Sequence, residues 1–448
     1  MFDSSVKYGI LGLARSGIAA AYKIKELGGK PFLSEKKDKE KIPEAAQLLT
    51  DFDCEFGGHT DRLLQQDVWI VSPGIPLNTP IIQKGIAAGI RLISEIEFGY
   101  QIKASDSKII AVTGSNGKST TASMIYHILK AMGTKCILAG NIGAAFCSFP
   151  IHKPGLQYIV LEISSFQLDL IQSFAPHVAV LLNLTPDHLD RYANFDEYCQ
   201  SKLRIFQYQS SSDFAILDQD SVEISKRDRA LVANKLYFSS QSKAAAAYLD
   251  GKFIRIKDTK LSIYELKLKG LHNQLNAMAA LLSIQALGLD MKAAVKAVKE
   301  FTALPHRLEY VDSINGVAFF NDSKATNTDS TLNALQSFDR PIRIIMGGSD
   351  KGEDFSLLTT ALKKHAIKVY ITGDTKYIMQ QAWLGKLPLQ IIDDFEECVR
   401  QAFADATMGD NIVLSPACAS FDHFQNFEHR GETFKAIVRK MKREKEQT

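Results

Sequence analysis

Thr113-Gly114-Ser115-Asn116-Gly117-Lys118-Ser119-Thr120 follows the apolar run Lys108-Ile109-Ile110-Ala111-Val112 and leads into a helical stretch from Ala122 to Met132. A buried strand that curls through glycines into a helix turns its backbone N–H groups toward an anion, and the helix dipole adds to the attraction. Within that loop, Gly114, Ser115, Asn116, Gly117, Lys118, Ser119 and Thr120 form a nucleotide-phosphate site. Lys118 is placed to reach the β- and γ-phosphates of ATP and the Ser119 hydroxyl to reach Mg²⁺. The loop is a shortened variant: the usual pattern has a glycine five residues before Gly117, and that position is Val112.

Outward from the loop, Tyr158-Ile159-Val160-Leu161-Glu162 and Val178-Ala179-Val180-Leu181-Leu182-Asn183 read as further buried parallel strands. Apolar residues at helical spacing run from Asn273 to Leu287, and a second helix ends near Leu304-Pro305, where proline argues for a boundary. Toward the N-terminus, Lys7-Tyr8-Gly9-Ile10-Leu11-Gly12 and the helical stretch Ile18 to Ile24 open another βα unit, and Val68 to Pro76 is a strand ending in a turn. Toward the C-terminus, Arg343 to Met346, Val369 to Gly373 and Ile412 to Pro416 each run from an apolar strand into small residues. The expected fold is therefore α/β in three domains: an N-terminal Rossmann-like domain over residues 1–95, a central P-loop-type ATPase domain over 96–303 and a C-terminal Rossmann-like domain over 304–448. The charged run Lys440 to Lys445 reads as a solvated helix end.

Composition narrows the function. The 448 residues are 46% hydrophobic and 23% charged, with a formal net charge of only +3. That balance disfavours nucleic-acid or membrane-surface binding. The six cysteines, at 54, 136, 147, 199, 398 and 418, form no CxxC pair, so they read as reduced thiols of a cytoplasmic protein. There is neither a signal-peptide pattern nor an apolar run long enough to span a bilayer.

Individual residues carry alternatives. Gly12-Leu13-Ala14-Arg15-Ser16-Gly17 departs from G-x-G-x-x-G at Ala14, where a dinucleotide pyrophosphate needs close backbone approach. A nicotinamide enzyme is thereby disfavoured, and either a different diphosphate or a purely structural turn fits. Glu162 ends a buried strand, where it is either a second magnesium ligand beside Ser119 or a carboxylate at a helix start. Asp187 and His188 end the next strand and could bind metal, orient a nucleophile or simply hydrogen-bond in a loop. On spacing alone, Lys202 is a surface lysine.

Several segments then occur in order: the loop 113–120, Glu162-Ile163-Ser164-Ser165-Phe166-Gln167-Leu168, Thr185-Pro186-Asp187-His188-Leu189-Asp190, His272-Asn273-Gln274-Leu275-Asn276, Pro305-His306-Arg307 and Asn321-Asp322-Ser323-Lys324-Ala325-Thr326. Together they resemble the Mur ligases of bacterial peptidoglycan synthesis. Gly347-Gly348-Ser349-Asp350-Lys351-Gly352 and Leu414 to Asp422 resemble the members that add D-glutamate. The resemblance implies ATP-dependent amide-bond formation between UDP-N-acetylmuramoyl-L-alanine and D-glutamate through an acyl phosphate, in the bacterial cytoplasm, by a monomer.

It also implies site residues. Leu13, Arg15, Ser16, Glu35 and Gly74 would lie near the UDP; relatives often carry Asp at the position of Glu35. Asn141 and His188 would contact the sugar-peptide. Asn276, Arg307 and Asp322 would join the phosphate loop around ATP. Lys324 and Thr326 would lie near the reacting phosphate and the incoming amino acid, and Lys351, Ser420 and Phe427 would line the D-glutamate site. Two Mg²⁺ ions are implied, with Ser119, Glu162, His188 and a carbamylated Lys202 as ligands. Lys118, Asp187, His188, Lys202 and Lys324 are the implied catalytic groups. Two other readings stay open: another Mur-type or folylpolyglutamate-type amide ligase, and a non-catalytic nucleotide-dependent binding protein.

Overall fold

The computed structural model describes residues 2–187, 191–268, 270–302, 304–338, 340–350 and 352–446. Strands β1 (Tyr8–Leu11), β2 (Phe32–Ser34), β3 (Asp53–Glu55), β4 (Val68–Val71) and β5 (Arg91–Ile93) form a parallel sheet ordered β3-β2-β1-β4-β5. The order reverses at β1, and open α/β sheets place ligands at such a switch point, beyond the strand C-termini. Ser94 caps the following helix, Glu95–Ile102, by accepting from the Glu97 amide.

A second, nine-stranded sheet comprises β6 (Lys108–Thr113), β7 (Cys136–Gly140), β8 (Tyr158–Glu162), β9 (Val178–Leu181), β10 (Phe214–Asp218), β11 (Asn234–Ser239), β12 (Ala247–Asp250), β13 (Phe253–Ile256) and β14 (Thr259–Ser262). Their order is β14-β13-β12-β11-β10-β9-β6-β8-β7. β6 lies inside the sheet, between β9 and β8, and its apolar run suits that place: Ile109, Ile110, Ala111 and Val112 are all buried. The sheet is parallel except for β12 to β14, an antiparallel extension. The expected helix after the glycine loop runs over Lys118–Ala131.

The third sheet contains β15 (Glu309–Ile314), β16 (Val317–Asn321), β17 (Ile342–Met346), β18 (Ala366–Ile371), β19 (Leu389–Ile391) and β20 (Asn411–Leu414), ordered β15-β16-β20-β17-β18-β19. β15 and β16 pair antiparallel, and the remaining pairs are parallel. The final helix, Phe427–Glu446, lays Phe434, Ile437, Val438 and Met441 on the apolar core of this sheet.

The chain thus carries three α/β domains, and by packing it divides into two compact units. The first comprises the N-terminus to Leu184, Asn194–Glu265 and Leu275–Glu300, with the first two sheets. The second comprises Thr185–Ala193, Leu266–Gln274 and Phe301 to the C-terminus, with the third sheet. All six cysteines are free thiols, five buried and Cys54 half-buried. Among the described residues, no helix is long and apolar enough to cross a membrane.

Candidate active site

In the first unit, the N-terminal glycine turn is closed by a carboxylate. The Leu13 amide donates to Glu35 Oε2 at 2.7 Å, and the Lys37 amide donates to Glu35 Oε1 at 3.0 Å. Gly12 adopts φ 87°, and a Cβ on Gly17 would lie 2.1 Å from the Gly12 carbonyl oxygen. The glycines therefore let helix Arg15–Glu26 start directly against β1. Ser72 Oγ donates to the Gly12 carbonyl. Arg15 is exposed, and its Nη1 donates to the Gly143 carbonyl at 3.1 Å; Ser16 is half-buried. A Cβ at Gly74 would meet no atom within 4 Å.

The phosphate loop is tighter. Gly114 (φ 147°) and Gly117 (φ 84°) take backbone conformations open mainly to glycine. A Cβ on Gly117 would come within 2.5 Å of Asn276 Oδ1, which also accepts from Thr121 Oγ1. Lys118 Nζ folds over the loop and donates to the carbonyls of Gly114 (2.8 Å) and Ser115 (2.7 Å). Ser119 and Thr120 are buried in the first helical turn. One strand over, Glu162 ends β8 in register with Val112 and accepts from Asn141 Nδ2 at 2.8 Å.

Lys202 corrects the surface reading. It is 2% exposed, in helix Phe195–Leu203, with its ammonium 4.7 Å from the centre of the Tyr198 ring. The Tyr198 hydroxyl in turn meets Ser115 Oγ at 3.0 Å. Helical spacing groups residues 198, 199 and 202 on one face, but a lysine on that face reads as exposed unless the aromatic partner is known. Phosphate loop, Tyr198 and Lys202 thus form one connected cluster. Tyr198 has no place in the sequence reading, and its only sequence signal is that four-residue spacing to Lys202.

In the second unit, Asp187 is buried and accepts from Asn327 Nδ2 at 3.2 Å. Asp322 directly follows β16; its oxygens accept from the Leu308 amide (3.1 Å) and Ser415 Oγ (2.9 Å). Burial pushes its carboxyl up to about 7, against the opposing pull of those donors and of Arg307 and Arg430. Arg307 is half-buried. The structure brings Lys324 and Phe427 together: the ammonium lies 3.6 Å from the ring centre. Thr326 is half-buried close by in sequence, and Ser420 is buried. His188 and Lys351 lie outside the described residues.

Arg430 ties these loops together. It donates to Ser323 Oγ (3.0 Å), the Ser323 carbonyl (2.9 Å), Cys418 O and Ala419 O (each 3.0 Å) and Gly347 O (3.4 Å). Burial lowers its pKa to about 10, so it stays charged at neutral pH. The sequence does hold a signal for it: Phe427, Arg430, Phe434, Val438 and Met441 share the helix face that packs on the sheet.

Three family models match in order: the Mur ligase MurD-like N-terminal domain over residues 6–94, the Mur ligase middle domain over 112–284 and the Mur ligase glutamate ligase domain over 306–418. UDP-N-acetylmuramoylalanine–D-glutamate ligase from Cytophaga hutchinsonii is 41% identical, with 97% of this chain and 99% of the relative covered. The protein of the same name from Koribacter versatilis is 39% identical over 96% of this chain and 97% of its own length. Among solved structures, the fold matches UDP-N-acetylmuramate–alanine ligase MurC from Thermotoga maritima with a TM-score of 0.64 at 18% identity, covering 97% of this chain and 100% of that one. It also matches MurF ligase from Thermotoga maritima in complex with ADP, with a TM-score of 0.63 at 16% identity, covering 98% and 100%. With all three domain models matched in sequence and relatives of two-fifths identity along nearly its whole length, the chain belongs to the Mur ligase family and groups there with the UDP-N-acetylmuramoylalanine–D-glutamate ligases.

Proposed function

We propose that the chain joins D-glutamate to UDP-N-acetylmuramoyl-L-alanine at the expense of ATP, releasing ADP and phosphate during peptidoglycan precursor synthesis. The near-full-length identity to ligases of that name carries the reading. In this course a carboxylate oxygen of the L-alanyl group attacks the γ-phosphorus, and the bond to the bridging oxygen breaks to release ADP. The D-glutamate nitrogen then attacks the acyl carbon, loses a proton, and phosphate leaves. Lys118 exchanges its two carbonyl partners for γ-phosphoryl oxygens and neutralises charge there. Asp187 or His188 receives the amine proton, and Lys324 stabilises the reacting phosphate.

The donors present suit magnesium. Ser119 supplies a hydroxyl from the first turn of helix Lys118–Ala131 and Glu162 a carboxylate from the end of β8, both hard oxygen ligands. His188 and a carbamylated Lys202 complete the set for a second ion. Burial of Lys202 supports that assignment, because a carbamate would convert a buried cation into an oxygen ligand. When bound, the two ions withdraw charge from the transferring phosphoryl group. Carbamylation predicts lost activity in Lys202→Ala with partial rescue by acetate. Density for a bare ammonium in an active complex with Mg²⁺ and bicarbonate would refute it.

Domain roles follow: residues 1–95 for the UDP end of the substrate, through Leu13, Arg15, Ser16, Glu35 and Gly74, with Asn141 and His188 on the sugar-peptide; 96–303 for ATP, through the phosphate loop and Asn276; and 304–448 for D-glutamate, through Thr326, Lys351, Ser420 and Phe427. Arg307 and Asp322 serve the nucleotide. The enzyme works as a monomer in the bacterial cytoplasm, which size-exclusion chromatography with light scattering checks. The deciding assay is phosphate release from ATP and Mg²⁺ across an amino-acid panel. Release must require both UDP-N-acetylmuramoyl-L-alanine and D-glutamate; equal turnover with L-glutamate refutes the assignment.

A further inference from the structure

The phosphate loop lacks the first glycine of the usual pattern, and β6 runs straight through Val112 into Thr113. Its shape must therefore be imposed from elsewhere, and the end of β9 supplies the template. The Leu182 amide donates to the Thr113 carbonyl (3.1 Å) and the Ser115 amide to the Asn183 carbonyl (3.0 Å), extending the strand pairing into the loop. The Asn183 side chain then closes on one residue of the loop's crown from both sides. Its Oδ1 accepts from the Asn116 amide at 2.8 Å, and its Nδ2 donates to the Asn116 carbonyl at 3.1 Å. Contact is close, since a Cβ on Gly114 would lie 3.0 Å from Leu182 Cβ and 3.3 Å from the Asn183 amide nitrogen.

We propose that Asn183 is a positioning residue that holds the crown of the phosphate loop in its nucleotide-binding shape, in place of the missing glycine. The proposal rests on the nucleotide assignment above. Its logic comes from comparing two side chains that bond the backbone of this loop. Lys118 grips through the Gly114 and Ser115 carbonyls, and those bonds must break when its ammonium turns to phosphate. The two Asn183 side-chain bonds go to the Asn116 amide and carbonyl and survive that exchange. They also commit the Asn116 amide to a side-chain acceptor, leaving phosphate recognition to the amides of the first turn of helix Lys118–Ala131.

The test is calorimetric titration of wild type and Asn183→Ala with ADP and with AMP, in Mg²⁺. Two neutral hydrogen bonds to a loop predict ADP affinity weakened by about tenfold in the variant. AMP affinity and the KM for the UDP-sugar should stay within about twofold, because neither depends on where a β-phosphate sits. Hydrogen exchange of nucleotide-free wild type supplies a readout that survives misfolding of the variant: the Ser115 and Asn116 amides should be protected well beyond an open loop. Equal ADP affinity in the two proteins, or unprotected Asn116 in the wild type, overturns the proposal while leaving the nucleotide reading intact. Wild type that binds no ADP overturns the nucleotide reading instead, and this proposal with it.

Discussion

Two glycine turns in the first unit lead a parallel strand into a helix, yet they are built with opposite electrostatics. At the first, Glu35 places a carboxylate on the Leu13 amide. At the second, Lys118 places an ammonium on the Gly114 and Ser115 carbonyls. A phosphate approaching the first turn meets an amide already claimed by a negative charge. At the second it meets a positive charge that can turn and follow it. Glycine spacing reports only that the backbone bends closely; the charge of the neighbouring side chain reports what the bend can bind.

The largest expected effect breaks the second turn's charge. Lys118→Ala should lower ligation by roughly 10²–10³ or more, as for loss of one electrostatic contact to a transition state. Lys118 is half-buried and bonds two loop carbonyls, so thermal unfolding should change little. Steady-state phosphate release and a melting curve together check this, and near-normal turnover would remove Lys118 from the chemistry.

The glycines themselves separate the two turns next. Gly17→Ala drives a Cβ into the Gly12 backbone oxygen, 2.1 Å away, and backbone cannot step aside cheaply. A loss of about 1–3 kcal/mol of stability is expected, read as a lower urea midpoint. Gly117→Ala meets the end of the Asn276 side chain at 2.5 Å and holds φ 84°. Its main loss should fall on ADP affinity. If both substitutions shift the same observable, the contrast between a turn whose glycine serves backbone packing and one whose glycine serves the ATP phosphates fails.

The sequence made the framework legible because the deciding strands are apolar runs that end in glycine or turn residues, as at Ile109 to Gly114 and Ile344 to Gly347. The antiparallel pieces were not legible. Phe253-Ile254-Arg255-Ile256 is short and interrupted by charge, and nothing local shows that it pairs with β12 and β14. Site residues followed the same division. The loop 113–120 announces itself through contiguous chemistry. By contrast, the grip of Asn183 on Asn116 spans 67 residues and the Tyr198–Ser115 contact spans 83, so pairing across the sheet has to be known first. Lys202 shows the limit most plainly, because its charge argues for solvent while its neighbours bury it.

Glu95 provides a control for the carboxylate of the first turn. Glu35 faces two amides, whereas Glu95 Oε1 accepts from the Cys147 amide and Oε2 is buried with no hydrogen-bond partner among the described residues. Burial pushes the Glu95 carboxyl up to about 7 from 4.5, only partly offset by the Cys147 bond. With the folded pKa above the unfolded one, the unfolded chain ionises first. Stability should therefore fall as pH rises from about 4.5 to 7 and level off above that. Glu95→Gln should remove that fall, raising stability by about 1–3 kcal/mol at pH 8 and by little at pH 4.5. Urea midpoints of both proteins at the two pH values measure it; a gain independent of pH would assign the effect to packing.

The smallest expected effect concerns Glu35 itself and separates its shape from its charge. Glu35→Gln keeps an oxygen for the Leu13 amide but removes the negative charge, while Glu35→Ala leaves that buried amide without its acceptor. An unsatisfied buried donor costs about 1–3 kcal/mol, so the alanine variant should unfold at lower urea than the glutamine variant, which should stay within about 0.5 kcal/mol of wild type. If the Glu35 charge weakens the hold of the first turn on a diphosphate, the glutamine variant should bind free pyrophosphate more tightly than wild type, by about the few-fold expected for one partly screened charge. Its response to ADP should not change, because the Glu35 carboxylate bonds the Leu13 and Lys37 amides beside the first sheet and not the phosphate loop. Tighter pyrophosphate binding with unchanged ADP affinity would place the difference between the two turns in their neighbouring charges, and unchanged pyrophosphate binding would return it to the glycines.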